Sequence, residues 1–116
     1  MRVKSEVWVK AFLRRVMSDG FFATVVRHGD DLSGAIFIKV NRQDGSARLF
    51  GPAFAGLDSV DGERAFMPML GGVAVSEQAV DEQLERECRF DSDLWIVEVE
   101  RADGDPMLDG WMAPAN

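Results

Sequence analysis

The chain has 116 residues, one domain's worth, of which 47% are hydrophobic and 28% charged. Twenty Asp and Glu stand against thirteen Lys and Arg, and this net charge of −7 argues against broad nucleic-acid binding, which needs a basic footprint. No apolar stretch approaches the roughly 20 residues of a membrane span, the single Cys forms no internal disulfide, and Met1-Arg2-Val3-Lys4-Ser5-Glu6 has no apolar run behind it. The expectation is a cytoplasmic protein without a secretory leader.

The first predicted element is a helix from Glu6, with Ser5 as its cap. Val9, Phe12, Leu13 and Val16 recur at i, i+3, i+4 and i+7, and Trp8 and Ala11 widen that face. Asp19-Gly20 ends the helix. Phe21 to His28 reads as a strand, residues 29–34 as a turn, and Ala35 to Asn41 as a second strand. Asp44-Gly45 marks a hairpin returning through Ala47 to Phe50. The first two strands are apolar on both parities, which predicts central strands covered on each side.

Residues 53–62 read as a loop, and Arg64 to Leu70 as a short strand. Pro68 places that strand at an edge, because proline cannot donate to a ladder. Ser76 caps a second helix over about residues 77–89, with a narrow apolar seam of Val80, Leu84 and Cys88. Leu94 to Val99 is the last strand. The tail from Arg101 carries turn signals, and its Met107, Leu108, Trp111 and Met112 either pack on the body, leave a loosely packed tail, or meet a partner. The fold class is α/β or α+β, a single sandwich domain over residues 1–116. Two helices accompany a mixed or mostly antiparallel sheet of about five strands, in the order α-β-β-β-β-α-β.

Charge is divided along the chain. Residues 1–58 hold nine basic and six acidic side chains, residues 59–116 four and fourteen. Within one domain these segments lie side by side, so part of the division cancels internally.

Five places invite a chemical reading. His28-Gly29-Asp30-Asp31 sets the only His beside carboxylates, which makes His28 and Asp30 the catalytic candidates; Asp and Gly equally suit a polar turn. Cys88 lies near the C-terminal end of its helix, among Glu85 and Glu87 and with Arg89 as the only local cationic help, which is not the setting of a nucleophile, and it reads as a buried structural thiol. Asp91 with Asp93, and Glu98 with Glu100, have the i, i+2 spacing of strand neighbours; paired carboxylates hold Mg²⁺ or share a proton, and equally protect a sheet edge. Gly71-Gly72 lacks the Lys and second Gly of a phosphate loop. Arg27, Lys39, Arg42 and Arg48 fall on or beside the hairpin strands and would bind an anionic ligand or acidic partner if gathered in one patch. Arg27, Lys39 and Arg48 are therefore binding candidates, joined by Trp111 of the tail, an interaction-prone residue type. No metal site and no cofactor is expected.

The chain resembles the DUF1491 family of small alphaproteobacterial proteins of unknown function. The stretches that carry the resemblance are Trp8-Val9 with Leu13-Arg14-Arg15, Val26-Arg27-His28-Gly29-Asp30, Ser33-Gly34-Ala35, Phe37-Ile38-Lys39-Val40-Asn41, Asp44-Gly45, Gly62-Glu63-Arg64 and Phe90 through Glu100. Their order covers nearly the whole chain. The resemblance implies a compact α/β or α+β domain in a bacterial cytoplasm, and it supplies no activity, ligand or catalytic residue.

Two functions are weighed. The first is a non-catalytic protein-binding or adaptor module, self-association included. The second is a small ligand-binding protein or enzyme with its site near the His28/Asp30 turn. The absence of a catalytic constellation favours the first.

Overall fold

The computed structural model describes residues 3–53 and 64–114. Helix α1 (Ser5–Ser18) is followed by strands β1 (Phe22–Arg27), β2 (Ile36–Asn41) and β3 (Ser46–Pro52). After β4 (Phe66–Pro68) come a short 3₁₀ turn at Leu70–Gly72 and β5 (Val75–Ser76), which leads into α2 (Glu77–Phe90); β6 (Trp95–Glu100) is the last strand. The six strands form one mixed sheet in the order β1-β6-β2-β3-β4, with β5 paired to β3. Among the strands of the described residues, only β2 and β6 pair in parallel; the crossover between them carries α2.

The fold is α+β, with one helix on each face of the sheet. Trp8, Val9, Phe12 and Val16 of α1 are buried together with Ala23, Ile36, Ile38, Val40, Phe50, Val97 and Val99. These strand residues follow the two-residue alternation that sends one parity to each face. The other parity forms a smaller core, in which Phe37, Ala47, Leu49, Leu94 and Ile96 meet Val80 and Leu84 of α2.

Three expectations are corrected. Ser5 lies inside α1, whose cap is Lys4 without a side-chain bond. Its buried hydroxyl instead donates to the Gly34 carbonyl at 2.6 Å and accepts from Arg64 at 3.2 Å, tying the helix start to the β1–β2 turn. Strand β1 is an edge strand rather than a central one: Phe22 and Val26 point away from α1 and are more than half exposed. The chain inserts β6 between β1 and β2, so β6 is central, and Glu98 and Glu100 do not guard a sheet edge.

Other expectations match the structure. Ser76 caps α2, its hydroxyl accepting from the Ala79 N–H at 3.1 Å. The turn at Asp44-Gly45 closes the β2–β3 hairpin, with Gly45 in the left-handed region at φ 90°. β4, with Pro68, ends the strand order. The loop expected over residues 53–62 lies, apart from Ala53, outside the described residues.

The tail returns to α1. Met107 and Leu108 are buried, and Trp111 meets Trp8 edge-on at 4.9 Å beneath the Arg15 guanidinium, 3.8 Å from its ring centroid. A bridge between Phe66 and Met112 joins the tail to β4.

Candidate functional site: the groove beside the second helix

The face of the sheet toward α2 carries Thr24 of β1, Glu98 of β6, Lys39 of β2 and Leu49 of β3 in one cross-strand row, because the registers pair Thr24 with Glu98, Glu98 with Lys39 and Lys39 with Leu49. A lysine at the centre of an apolar strand must find carboxylates or be neutralised. Lys39 is only 5% exposed, and its Nζ lies 2.8 Å from Glu77, 2.9 Å from Asp81 and 3.6 Å from Glu98. Asn41 donates to Glu77 and Glu98, both at 3.2 Å. Burial alone would lower the Lys39 pKa; the hydrogen bonds to Glu77 and Asp81 and the charge of Glu98 outweigh it and raise it above the ordinary value. The ammonium is charged at neutral pH and clamps the first turns of α2 to the sheet. The partners come from the acidic half of the chain and Lys39 from the basic half, so the division of charge cancels here inside the molecule.

Helix α2 packs over β3 and the β5 segment, meets Leu94 and Ile96 through Val80 and Leu84, and leaves Phe22 and Val26 of β1 exposed. Between helix and sheet runs a groove of about 740 Å³, lined by Val26, Lys39, Asp81, Leu84, Glu85, Cys88, Arg89, Ile96 and Glu98. On α2 the wall residues 81, 84, 85, 88 and 89 share one helix face by their three- and four-residue spacing. On the far side, β1 carries a bulge between Val25 and Arg27. Bulges at sheet edges re-aim side chains, and Val26 stands there 57% exposed. Cys88 is half-buried in the groove wall rather than fully buried.

The His28 turn is a separate place. Its Nε2 lies 2.7 Å from Asp31, not Asp30, and its ring lies over Trp95 with centroids 4.0 Å apart. The Asp30 carboxylate accepts the Leu32 and Ser33 N–H groups and the Ser33 hydroxyl. The Ser33 N–H above all, joined by the Leu32 N–H and the Ser33 hydroxyl, lowers the Asp30 pKa. The Asp30 carbonyl accepts the Trp95 indole N–H at 2.8 Å. Gly29 lets this turn lie on β6: a Cβ there would stand 2.3 Å from the Asp93 carbonyl oxygen. Asp91 likewise accepts the Asp93 N–H within its own turn.

The four cations named from the sequence are divided among different places. Arg27 donates to the Ser92 carbonyl at 2.9 Å. Arg48 lies beside Val40 on the face away from Lys39, donates to the Gly104 and Gly72 carbonyls, and stacks on Phe50. Arg42 reaches the Ala102 carbonyl. Trp111 is occupied by Trp8 and Arg15. Among the described residues, no group of three or more His, Cys, Asp or Glu is placed to hold a metal, and no helix is long and apolar enough to cross a membrane.

Asp81, Leu84, Glu85, Ile96, Val26 and Glu98 are brought together as groove lining, which sequence reasoning did not foresee. The available signal was Lys39 itself, a cation amid Phe37, Ile38 and Val40, together with Glu77 and Asp81 one turn apart on the same helix.

A family model described as a protein of unknown function, DUF1491, matches residues 3–109. Among solved structures, the chain is similar to the crystal structure of a DUF1491 family protein from Caulobacter crescentus CB15, at 35% identity and a TM-score of 0.79, covering 99% of this chain and 100% of that one. It is also similar to the solution structure of protein Atu0922 from A. tumefaciens, at 38% identity and 0.79, covering 100% and 98%. An NMR structure of a DUF1491 family protein from C. crescentus CB15 matches at 42% identity and 0.72, covering 91% and 92%. No curated protein matches the chain.

Proposed function

We propose that this chain, which belongs to the DUF1491 family, is a non-catalytic protein-binding module whose docking surface is the groove between α2 and the β1–β6 side of the sheet. The observation that carries this reading is the off-centre seat of α2. The helix covers β3 and leaves apolar side chains of β1 uncovered: Phe22 is 54% and Val26 57% exposed. Exposed apolar surface rimmed by charge is the character of an interaction site. The buried Lys39 cluster supports the reading, because it fixes the groove's floor before a partner arrives and so reduces the ordering cost of binding.

A catalytic site at the His28 turn draws less support. The Asp30 carboxylate is occupied in holding its turn, and His28 is engaged by Asp31 and Trp95 on an exposed surface.

Photo-cross-linking in the cells that make the protein tests this. A cross-linking residue at Val26 or Glu85 should yield adducts with another protein, and one at Lys10 on the outer face of α1 should not. Adducts absent at the groove positions, or equally abundant at Lys10, would end this reading.

A further inference from the structure

We infer that the occupant of this groove is a basic amphipathic segment of a partner protein, an apolar stripe flanked by Lys or Arg; the inference rests on the binding reading above. The lining divides in two. Val26, Leu84, Cys88 and Ile96 form an apolar strip, and Asp81, Glu85 and Glu98 stand along it against Lys39 and Arg89. Lys39 is already engaged, with its Nζ 2.8 Å from Glu77 and 2.9 Å from Asp81. One ammonium shared among three carboxylates leaves the cluster negative, and Asp81 is 55% exposed at the lip. A partner therefore meets carboxylate oxygens first.

The spacing of those oxygens is also selective. Asp81 and Glu85 are four residues apart on α2, about 6 Å along the helix axis at 1.5 Å per residue. Cations one turn apart on a partner helix, or two residues apart on a strand, repeat at nearly that distance. The surrounding field has the same sign, since α2 carries Glu77, Asp81, Glu82, Glu85 and Glu87 against Arg86 and Arg89. Opposite charges at such a rim steer approach and fix orientation, while the apolar strip supplies buried area.

A second copy of the chain is the competing occupant. The outer face of α1 offers Val7 and Met17, exposed, beside Lys10 and Arg14, with Val3 exposed just ahead of the helix. Against it stand the charge of −7 carried by each copy, which opposes close approach, and the geometry. The α1 face and the groove lie on opposite sides of the sheet, so that contact runs head to tail and does not close into a two-fold dimer.

The test uses the full chain with two labelled amphipathic probes of identical apolar pattern, a Leu/Lys peptide and a Leu/Glu peptide, read by fluorescence anisotropy. The Leu/Lys peptide should bind saturably and the Leu/Glu peptide should not. Glu85→Lys should weaken binding by about tenfold, as reversal of a contacting charge does, and Asp109→Lys, outside the groove, by less than about twofold. Raising salt from about 50 to about 300 mM should weaken the Leu/Lys complex. Equal effects of the two charge reversals would overturn the inference, as would equal binding of both peptides. Self-association of the free chain in sedimentation that Glu85→Lys abolishes would replace the foreign segment with a second copy. Groove cross-links in cells to a partner lacking a basic segment would sink this inference and leave the binding reading standing. Loss of those cross-links would remove both.

Discussion

Replacing Lys39 by Met removes the ammonium at the floor of the groove and keeps an unbranched apolar stem, so the packing around it is largely retained. The magnitude follows from who is left behind. The Lys39 side chain is 6% exposed, whereas those of Glu98, Glu77 and Asp81 are 21%, 39% and 55% exposed. Breaking a buried pair by removing one partner costs about 3–5 kcal/mol, because the other charge is stranded. An exposed pair contributes about 0.2–1 kcal/mol. Glu98 stands nearer the first limit and Asp81 nearer the second, so Lys39→Met should lose about 2 kcal/mol at neutral pH. Glu98→Gln should lose about 1 kcal/mol, and the double variant should fall short of the sum by about 1 kcal/mol, since the two residues share one network. Urea unfolding, followed by fluorescence of buried Trp8 and Trp95, reads these differences at constant slope. The Lys39 pKa is raised in the folded protein, so its contribution is complete below the unfolded lysine value of about 10.4 and is lost as pH climbs through the folded value. The parent should therefore lose stability on that alkaline limb and Lys39→Met should lose less. A Lys39→Met protein as stable as its parent, or a strictly additive double variant, would refute the claim that this ammonium clamps α2 to the sheet.

Gly29→Ala places a methyl 2.3 Å from the Asp93 carbonyl oxygen and 2.6 Å from Trp95 Cδ1; overpacking and a stretched Trp95–Asp30 hydrogen bond should together cost about 3 kcal/mol in urea unfolding, and a loss below about 1 kcal/mol would contradict the close approach. Ser5→Ala leaves the Gly34 carbonyl without its hydroxyl donor and should cost about 1–2 kcal/mol, whereas an unchanged midpoint would show that the helix start is held elsewhere. The Asp30 pKa is lowered, so its contribution is present above the unfolded value of about 3.9 and disappears as pH falls through the folded value. Asp30→Asn should flatten that part of the acid limb of stability against pH; superimposable acid limbs would count against the turn.

Local elements were legible in the sequence because local rules govern them. The α1 stripe, the Asp44-Gly45 hairpin, the Ser76 cap and the Pro68 edge each rest on periodicity or on one residue's backbone chemistry. Strand order was not legible for β1. Phe22 and Val26 read as one face of a covered strand, yet alternation does not state what lies above it, and α2 is seated over β3 instead. Ser5 misled because a serine before an apolar stripe has the form of a cap, while its hydroxyl is taken by Gly34, distant in sequence. The groove was invisible for the same reason. Val26, Lys39, Asp81 and Glu98 come from β1, β2, α2 and β6, and only the parallel seat of β6 beside β2 brings Glu98 to Lys39.

The central claim is that a partner docks in the groove beside α2, and the chain carries its own reporter there. Cys88 is the single cysteine, half-buried in the groove wall. The alkylation rate of its thiol, measured with and without the partner recovered by cross-linking, is the direct measurement. Occupancy of the groove predicts a severalfold slower reaction at saturating partner. An unchanged rate at a concentration that saturates binding would place the partner elsewhere on the molecule and contradict the account.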